Sequence, residues 1–408
     1  MSTIIIDNIN NIKDEIVLSD YINFDIRGTK EGGLDKSIVN ALRRTILSDI
    51  PCVAFRVERT TSDIVVESNK TSLHNEFILD RISMIPLSIN PETYYKNEYL
   101  FKLNIKNDST NPVKQVKSDS FSVYKMNDDI KGRDIDIREL ENYHLVSETD
   151  KLEIFNPFEY SYNGKDNKEY CIITELRTNN LSSDLYGEEE LILYGTPSIS
   201  TAKENAAWMC VSNSMQTFKV DPRRLKSVIS EKKIIQKDFD EEEFIINEGE
   251  RYYHLDDRLQ PYYYNFSIEK VGFYDAKTIF IKGCEILIKR LKDFNDQFDL
   301  INSPECRIKL LESNTIKGGQ TIIADGEDDT LGSIIQSHIV KNYIESDKED
   351  SPIMFCGYKR IHPLEERIMF TIKMKTEDLK IIVVFFKRVC LELEGIVGEI
   401  LKESRVKF

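Results

Sequence analysis

Three consecutive acids, Glu327-Asp328-Asp329, stand directly before the apolar positions Leu331, Ile334 and Ile335. Oxygen donors in such a run suit two kinds of chemistry. One is a hard divalent cation such as magnesium. The other is the capping of a helix, whose free N–H groups and positive dipole end attract carboxylates. A cation needs further ligands and the sequence offers none at a suitable spacing, so the cap is the expected role, with Asp329 or Asp328 as cap residue. His362 before Pro363 is a lone histidine in a turn, the usual setting of a structural imidazole. The sequence has no convincing Gly-rich phosphate loop, nucleophile elbow or His-Glu-x-x-His helix. The seven cysteines (Cys52, Cys171, Cys210, Cys284, Cys306, Cys356 and Cys390) are scattered without a Cys-x-x-Cys pair. They are expected as small hydrophobes in a reducing compartment, not as zinc or iron–sulfur ligands. No catalytic residue, metal or cofactor is expected.

Arg43 and Arg44 are the sharper candidates. They lie in the last two turns of a helix expected over 34–46, which Pro51 stops from continuing. A guanidinium fork suits the carboxylates and backbone carbonyls of a protein partner. The alternative is solvated charge that complements the helix dipole. The elements that position these residues repeat. Leu34, Ile38, Leu42 and Ile46 align with Leu331, Ile335, Ile339 and Tyr343, and positions four apart share one helical face. Two like halves in one chain suggest a fused dimer.

Composition narrows the class. A chain of 408 residues suits two to four domains, and 40% hydrophobic with 31% charged residues reads as globular. No apolar run approaches the roughly 20 residues that span a bilayer, and no signal-peptide pattern is present, so an intracellular protein away from membranes is expected. The net charge of -15 argues against a large surface laid on nucleic acid; DNA is expected to be met only indirectly.

Residues 1–20 read as a mobile arm or edge strand, 21–26 as a strand, and Gly32-Gly33 as punctuation before the first helix. Strands are expected at 53–57, 64–66, 99–105, 171–176 and 191–194, with surface loops at 106–117 and 160–168. The stretch 226–249 is dense in charge and expected at the periphery. A strand at 262–271 leads into a long amphipathic helix at 276–298, and 299–305 reads as a linker. The second half repeats the order: strands at 306–313 and 321–324, a helix at 331–343, a loop at 345–351, strands at 353–358 and 367–375, and a long helix at 377–404. The fold class is α+β. Each half runs strand, helix, strands, long helix, and the first half also carries a β-rich insert. The expected units are 1–50 plus 220–300, the insert 51–219, and 301–408.

Both long helices carry wide apolar stripes. Packed on each other about a pseudo-twofold axis they would bury about ten large side chains, worth roughly 15–30 kcal/mol before entropy. The residues expected at that intramolecular seam are Leu34, Ile38, Leu42, Ile286, Leu287, Phe294, Leu331, Ile335, Phe386 and Leu393.

These residues resemble a known family. Asn40-Ala41-Leu42-Arg43-Arg44, followed by Ile50-Pro51, looks like the helix of bacterial RNA polymerase alpha subunits and of the third-largest subunit of nuclear RNA polymerase II. Glu76-Phe77-Ile78-Leu79-Asp80-Arg81-Ile82-Ser83-Met84-Ile85-Pro86-Leu87, Ala202-Lys203-Glu204-Asn205-Ala206-Ala207-Trp208 and Phe266-Ser267-Ile268-Glu269-Lys270-Val271-Gly272 resemble that family's later motifs. Asp80, Ser83, Asn205 and Ala207 stand where it commonly has His, Gly, His and Lys. The second half, through Gly326 to Ser333 and Gly357 to Glu365, is similar to the small alpha-like partner, the eleventh subunit of the nuclear enzyme. The two are normally separate chains, and their fusion resembles the arrangement in large cytoplasmic DNA viruses.

The resemblance implies a non-catalytic scaffold of a DNA-directed RNA polymerase, with the two largest subunits and a small subunit of the tenth-subunit type as partners. It implies partner contacts at Asn40, Arg43, Arg44, Glu76, Arg81, Lys203 and Trp208, although Trp208 equally suits the insert's core. A viral source would place the protein in the host cytoplasm and in the virion. A stand-alone interaction scaffold and an enzyme acting alone are the competing classes.

Overall fold

The computed structural model describes the chain apart from residues 1–3, 13–19, 31–32, 59–60, 108–111, 132–135, 156, 179–188, 237, 302, 346–350 and 377. Gly32, the middle of the loop expected at 106–117, Asn302, most of the loop at 345–351 and residue 377 lie outside the described residues. The helices are α1 (Lys36–Ser48), α2 (Asn75–Ser83), α3 (Glu148–Ile154), α4 (Pro222–Ile235), α5 (Glu241–Glu248), α6 (Ala276–Gln297), α7 (Asp329–Ile339) and α8 (Leu379–Lys407). A π-helical turn, Val340–Ile344, extends α7. Short polar caps set the starts. Asp35 accepts from the Ser37 N–H at 2.7 Å, Asp275 from Thr278 at 2.9 Å, Asp328 from Thr330 at 2.9 Å and Asp378 from Lys380 at 2.9 Å.

Two four-stranded antiparallel sheets carry the halves. The first runs Ile5–Ile12, Tyr21–Arg27, Tyr263–Lys270, Val211–Phe218 in spatial order. The second runs Ile308–Glu312, Gln320–Asp325, Arg367–Met374, Ile353–Arg360. Alternation along Tyr21–Arg27 and Tyr263–Lys270 puts Phe24 opposite Phe266, with ring centroids 5.5 Å apart. Both sheets and helices α1, α6, α7 and α8 bury their apolar faces in one continuous core.

The insert has its own core. A five-stranded sheet, in the order Ile64–Asn69, Glu190–Gly195, Tyr99–Lys106, Ser122–Met126, Tyr143–Leu145, packs around Phe101. That ring meets Phe55 at 5.1 Å, Phe155 at 5.7 Å and Phe121 at 6.1 Å.

Two local expectations, the loops at 106–117 and 160–168, need correction. The stretch 106–117 contains the strand Val113–Lys117, paired with Ile172–Arg177. The stretch 160–168 belongs to a hairpin, Phe158–Tyr162 with Lys165–Glu169. Its turn is Asn163-Gly164, with φ of 52° and 70°, the left-handed pair that an Asn-Gly dipeptide tolerates. The charged stretch 226–249 is two helices, capped by Asp221 and Asp240. Helix α2 fills a region read only as motif. The N-terminal stretch places its edge strand, Ile5–Ile12, against Tyr21–Arg27.

Candidate functional site

The first candidate region is the seam between α6 and α8. Phe298 beside α6 meets Phe386 at 5.8 Å, Lys292 pairs with Glu394 at 3.2 Å, and Glu285 pairs with Arg405 at 2.6 Å. Residue numbers rise on one helix as they fall on the other, so the two run antiparallel. At the far end Phe408 inserts between Phe24 (5.1 Å) and Phe280 (5.8 Å) of the first half. Leu34, Ile38, Leu42, Leu287, Phe294, Leu331, Ile335, Phe386 and Leu393 are all buried in this common core, and Ile286 packs partly buried against it. Helix α1 reaches α6 closely because of Gly283: a Cβ there would sit 2.6 Å from Ile46 Cγ1. In the same way Gly332 on α7 lets the Tyr358 ring approach, where a Cβ would meet it at 2.6 Å.

Beside that apolar contact lies a buried ionic cluster. Arg290 of α6 contacts Asp328 at 2.8 Å, Glu327 at 3.0 Å and Asp49, the C-cap of α1, at 3.6 Å. Lys203 reaches Asp328 at 3.6 Å and Asp49 at 3.8 Å. The acids before α7 therefore serve as cap and as Arg290 partners; among the described residues no group of His, Cys, Asp and Glu gathers as metal ligands would. Burial opposes the Arg290 charge, but the carboxylates outweigh it and raise the guanidinium above its usual range. Burial likewise pushes Asp328 up, and Arg290 overrides it, holding this carboxyl down to about 2. Glu327, only 4% exposed, is shifted upward because its desolvation exceeds what Arg290 returns. Periodicity could not reveal this cluster, since its members come from four distant parts of the chain.

A second polar group ties α7 to α8. Glu392 meets His338 Nε2 at 2.9 Å, accepts from Tyr343 Oη at 2.7 Å and from Arg388 Nε at 3.0 Å. The His338 bond, with Tyr343 and Arg388, holds the Glu392 carboxyl down to about 2 despite burial. Across the halves, Ser337 donates to the α1 cap Asp35 at 3.1 Å.

The residues expected to touch partners separate into two sets. Trp208 is 1% exposed; its indole donates to Ser198 O at 3.1 Å and lies under Arg56. Arg81 donates to Ile173 O at 3.1 Å, pinning α2 to the strand Ile172–Arg177 within the insert, and Lys203 joins the ionic cluster. Asn40, Arg43 and Arg44 form one half-exposed patch on α1, where Arg43 Nε donates to Asn40 Oδ1 at 3.0 Å. Among the described residues neither arginine has a carboxylate within ion-pair distance. Burial, with Arg44 adjacent, pulls the Arg43 guanidinium below its usual range. Glu76 is exposed at the start of α2, on the side that also exposes Phe77 (65%) and Met84 (57%). No helix among the described residues is long and apolar enough to cross a membrane.

Comparison with known proteins gives two matches to one domain type. The RNA polymerase Rpb3/Rpb11 dimerisation domain matches residues 29–291 in one form and residues 320–403 in a second. Over 77 residues the chain is 35% identical to the DNA-directed RNA polymerases IV and V subunit 3B of Arabidopsis thaliana. It is 36% identical, again over 77 residues, to the same plant's DNA-directed RNA polymerases II, IV and V subunit 3. Each match covers 19% of this chain and 21% of the relative, so the chain spans about a fifth of the length of these relatives.

Proposed function

This chain belongs to the RNA polymerase Rpb3/Rpb11 dimerisation domain family, and from that premise we propose that it is a non-catalytic assembly scaffold of a multisubunit DNA-directed RNA polymerase. Both members of the family's pair are fused in it as an intramolecular pseudo-dimer. The units are 1–50 with 220–300, the insert 51–219, and 301–408. The observation that carries the reading is the presence of two dimerisation domains whose long helices, α6 and α8, lie antiparallel in one core. Fusion replaces bimolecular docking by an intramolecular step at an effective concentration of about millimolar. It also hides apolar stripes that separate chains would expose.

The two largest subunits are the proposed partners, together with a small subunit of the tenth-subunit type. Asn40, Arg43, Arg44 and Glu76 are their proposed contacts. The support is electrostatic: two adjacent, half-buried arginines without an internal carboxylate gain from an acidic partner what the chain itself does not supply. The joined halves resemble those of large cytoplasmic DNA viruses, which makes the host cytoplasm and the virion the proposed setting. Affinity purification of the tagged chain from its native source, followed by mass spectrometry, tests the reading. Two very large co-eluting polymerase subunits are expected. Recovery of the chain alone would overturn it.

A further inference from the structure

A groove of about 1020 Å³ opens where the insert meets the first-half sheet. One wall is the end of α3 with Phe155 and Pro157; another is the hairpin Phe158–Tyr162 with Lys165–Glu169. The end of strand Tyr263–Lys270 closes the third side. Its apolar lining is Pro86, Leu152, Phe155, Phe158, Tyr170 and Val271. Phe158 is 54% exposed and stacked on Tyr160 at 6.0 Å, so a large ring stands half in water within a concave surface.

The rim is acidic. Asp20, Glu153, Glu159, Glu169 and Glu269 line it beside Lys168 and Lys270, and Lys117 reaches Glu169 from outside. Three of these acids are engaged: Asp20 accepts from the Ala276 N–H at 3.2 Å, Glu159 pairs with Lys168 at 2.6 Å, and Glu169 pairs with Lys117 at 2.9 Å. Glu153 and Glu269 have no basic group within ion-pair distance among the described residues. The hairpin strands pair only with each other among those residues, which leaves an extended backbone edge beside the groove.

We propose that this groove docks an extended, lysine- and arginine-rich segment of a partner protein, with one apolar side chain seated on Phe158. The acidic rim supplies charge complementarity, the ring supplies the anchor, and the hairpin edge suits an extended backbone. Phosphate backbones carry the wrong charge for this rim. The inference stands on the groove alone and does not depend on the scaffold reading.

Cys171 lines the groove and is exposed, so it reports occupancy at the site itself. The purified full chain is titrated with a fluorescein-labelled nonapeptide of lysine and arginine around one central phenylalanine. Anisotropy reads binding, and mass spectrometry reads the alkylation of Cys171 by N-ethylmaleimide. Saturable binding that weakens with added salt is expected. Bound peptide should slow alkylation of Cys171 several-fold. A peptide with serine in place of the basic residues should not bind. The double variant Glu153→Lys, Glu269→Lys should bind about tenfold more weakly, and Phe158→Ser should also lose affinity, both with unchanged circular dichroism. Absence of binding, binding that leaves Cys171 alkylation unchanged, or equal affinity in the charge-reversed variant would overturn the proposal. Protection of Cys171 by a single-stranded oligonucleotide would overturn it in favour of nucleic acid.

Discussion

The core shared by the two halves and the core of the insert are built on different principles. The insert closes on itself: Phe55, Phe101, Phe121 and Phe155 come from one stretch of the chain and from one sheet with its flanking segments. The shared core cannot be cut that way, because Phe24, Phe280 and Phe408 meet in one place although they come from opposite ends of the sequence. The shared core also has a buried ionic cluster beside it, whereas the insert carries ion pairs such as Lys117–Glu169 and Lys168–Glu159 at its surface. Separable stability in one region and mutual dependence in the other is the expected consequence.

The largest expected effect comes from Arg290→Ala. It leaves Asp49, Glu327 and Asp328 buried without their main cation and should cost about 3–5 kcal/mol, read by chemical denaturation. A loss below about 1 kcal/mol would show that the cluster is solvated and does not tie the halves. Leu393→Ala and Leu103→Ala remove equally buried side chains, at 0% and 1% exposure, and each should cost about 2–5 kcal/mol. They should differ in reach. Hydrogen exchange should rise in both halves for Leu393→Ala but mainly within the insert for Leu103→Ala. The same footprint for both would erase the distinction between the two cores.

Acid sharpens the comparison. Glu392 and Asp328 have folded values near 2, below their ordinary 4.5 and 3.8. A depressed folded pKa means that the stabilisation is complete above the ordinary value and disappears as pH falls toward the folded value. The helices α7 and α8 should therefore loosen between about pH 4.5 and 2. Glu392→Gln should flatten the upper part of that loss in a circular dichroism titration. An unchanged titration would remove Glu392 from the explanation. The smallest effect on the fold is expected from Arg44→Ala, within about 0.5 kcal/mol of the parent. Recovery of the proposed partners, the two largest subunits, should nevertheless drop about tenfold, a loss near 1.4 kcal/mol of binding.

The four helices of the shared core were legible in the sequence because their apolar residues recur at three and four over long stretches, as in Ile279, Phe280, Cys284, Leu287, Leu291 and Phe294. Helix α2 escaped because it is short and exposes Phe77, which blurs its stripe. Helices α4 and α5 hid behind their charge, although Asp221-Pro222 and Asp240 followed by three glutamates are helix starts that could have been read. The hairpin at Asn163-Gly164 had a turn signal and one alternating strand, Phe158–Tyr162, but its partner Lys165–Glu169 is wholly polar and shows no pattern. The sequence pointed to Asp328 or Asp329 as a helix cap. Its tie to Arg290 was invisible, because ion pairs between distant segments leave no periodicity. The patch of Asn40, Arg43 and Arg44 came from motif likeness; burial then separated it from Trp208, and internal ion pairs separated it from Lys203.

The central claim is that one polypeptide closes its own pair, so no dimerisation face is left over. Size-exclusion chromatography with multi-angle light scattering measures this directly. A monomer of 47.5 kDa across micromolar concentrations is the predicted result. A stable homodimer that dissociates on Leu393→Ala would contradict it, because the pairing stripes would then be meeting between chains.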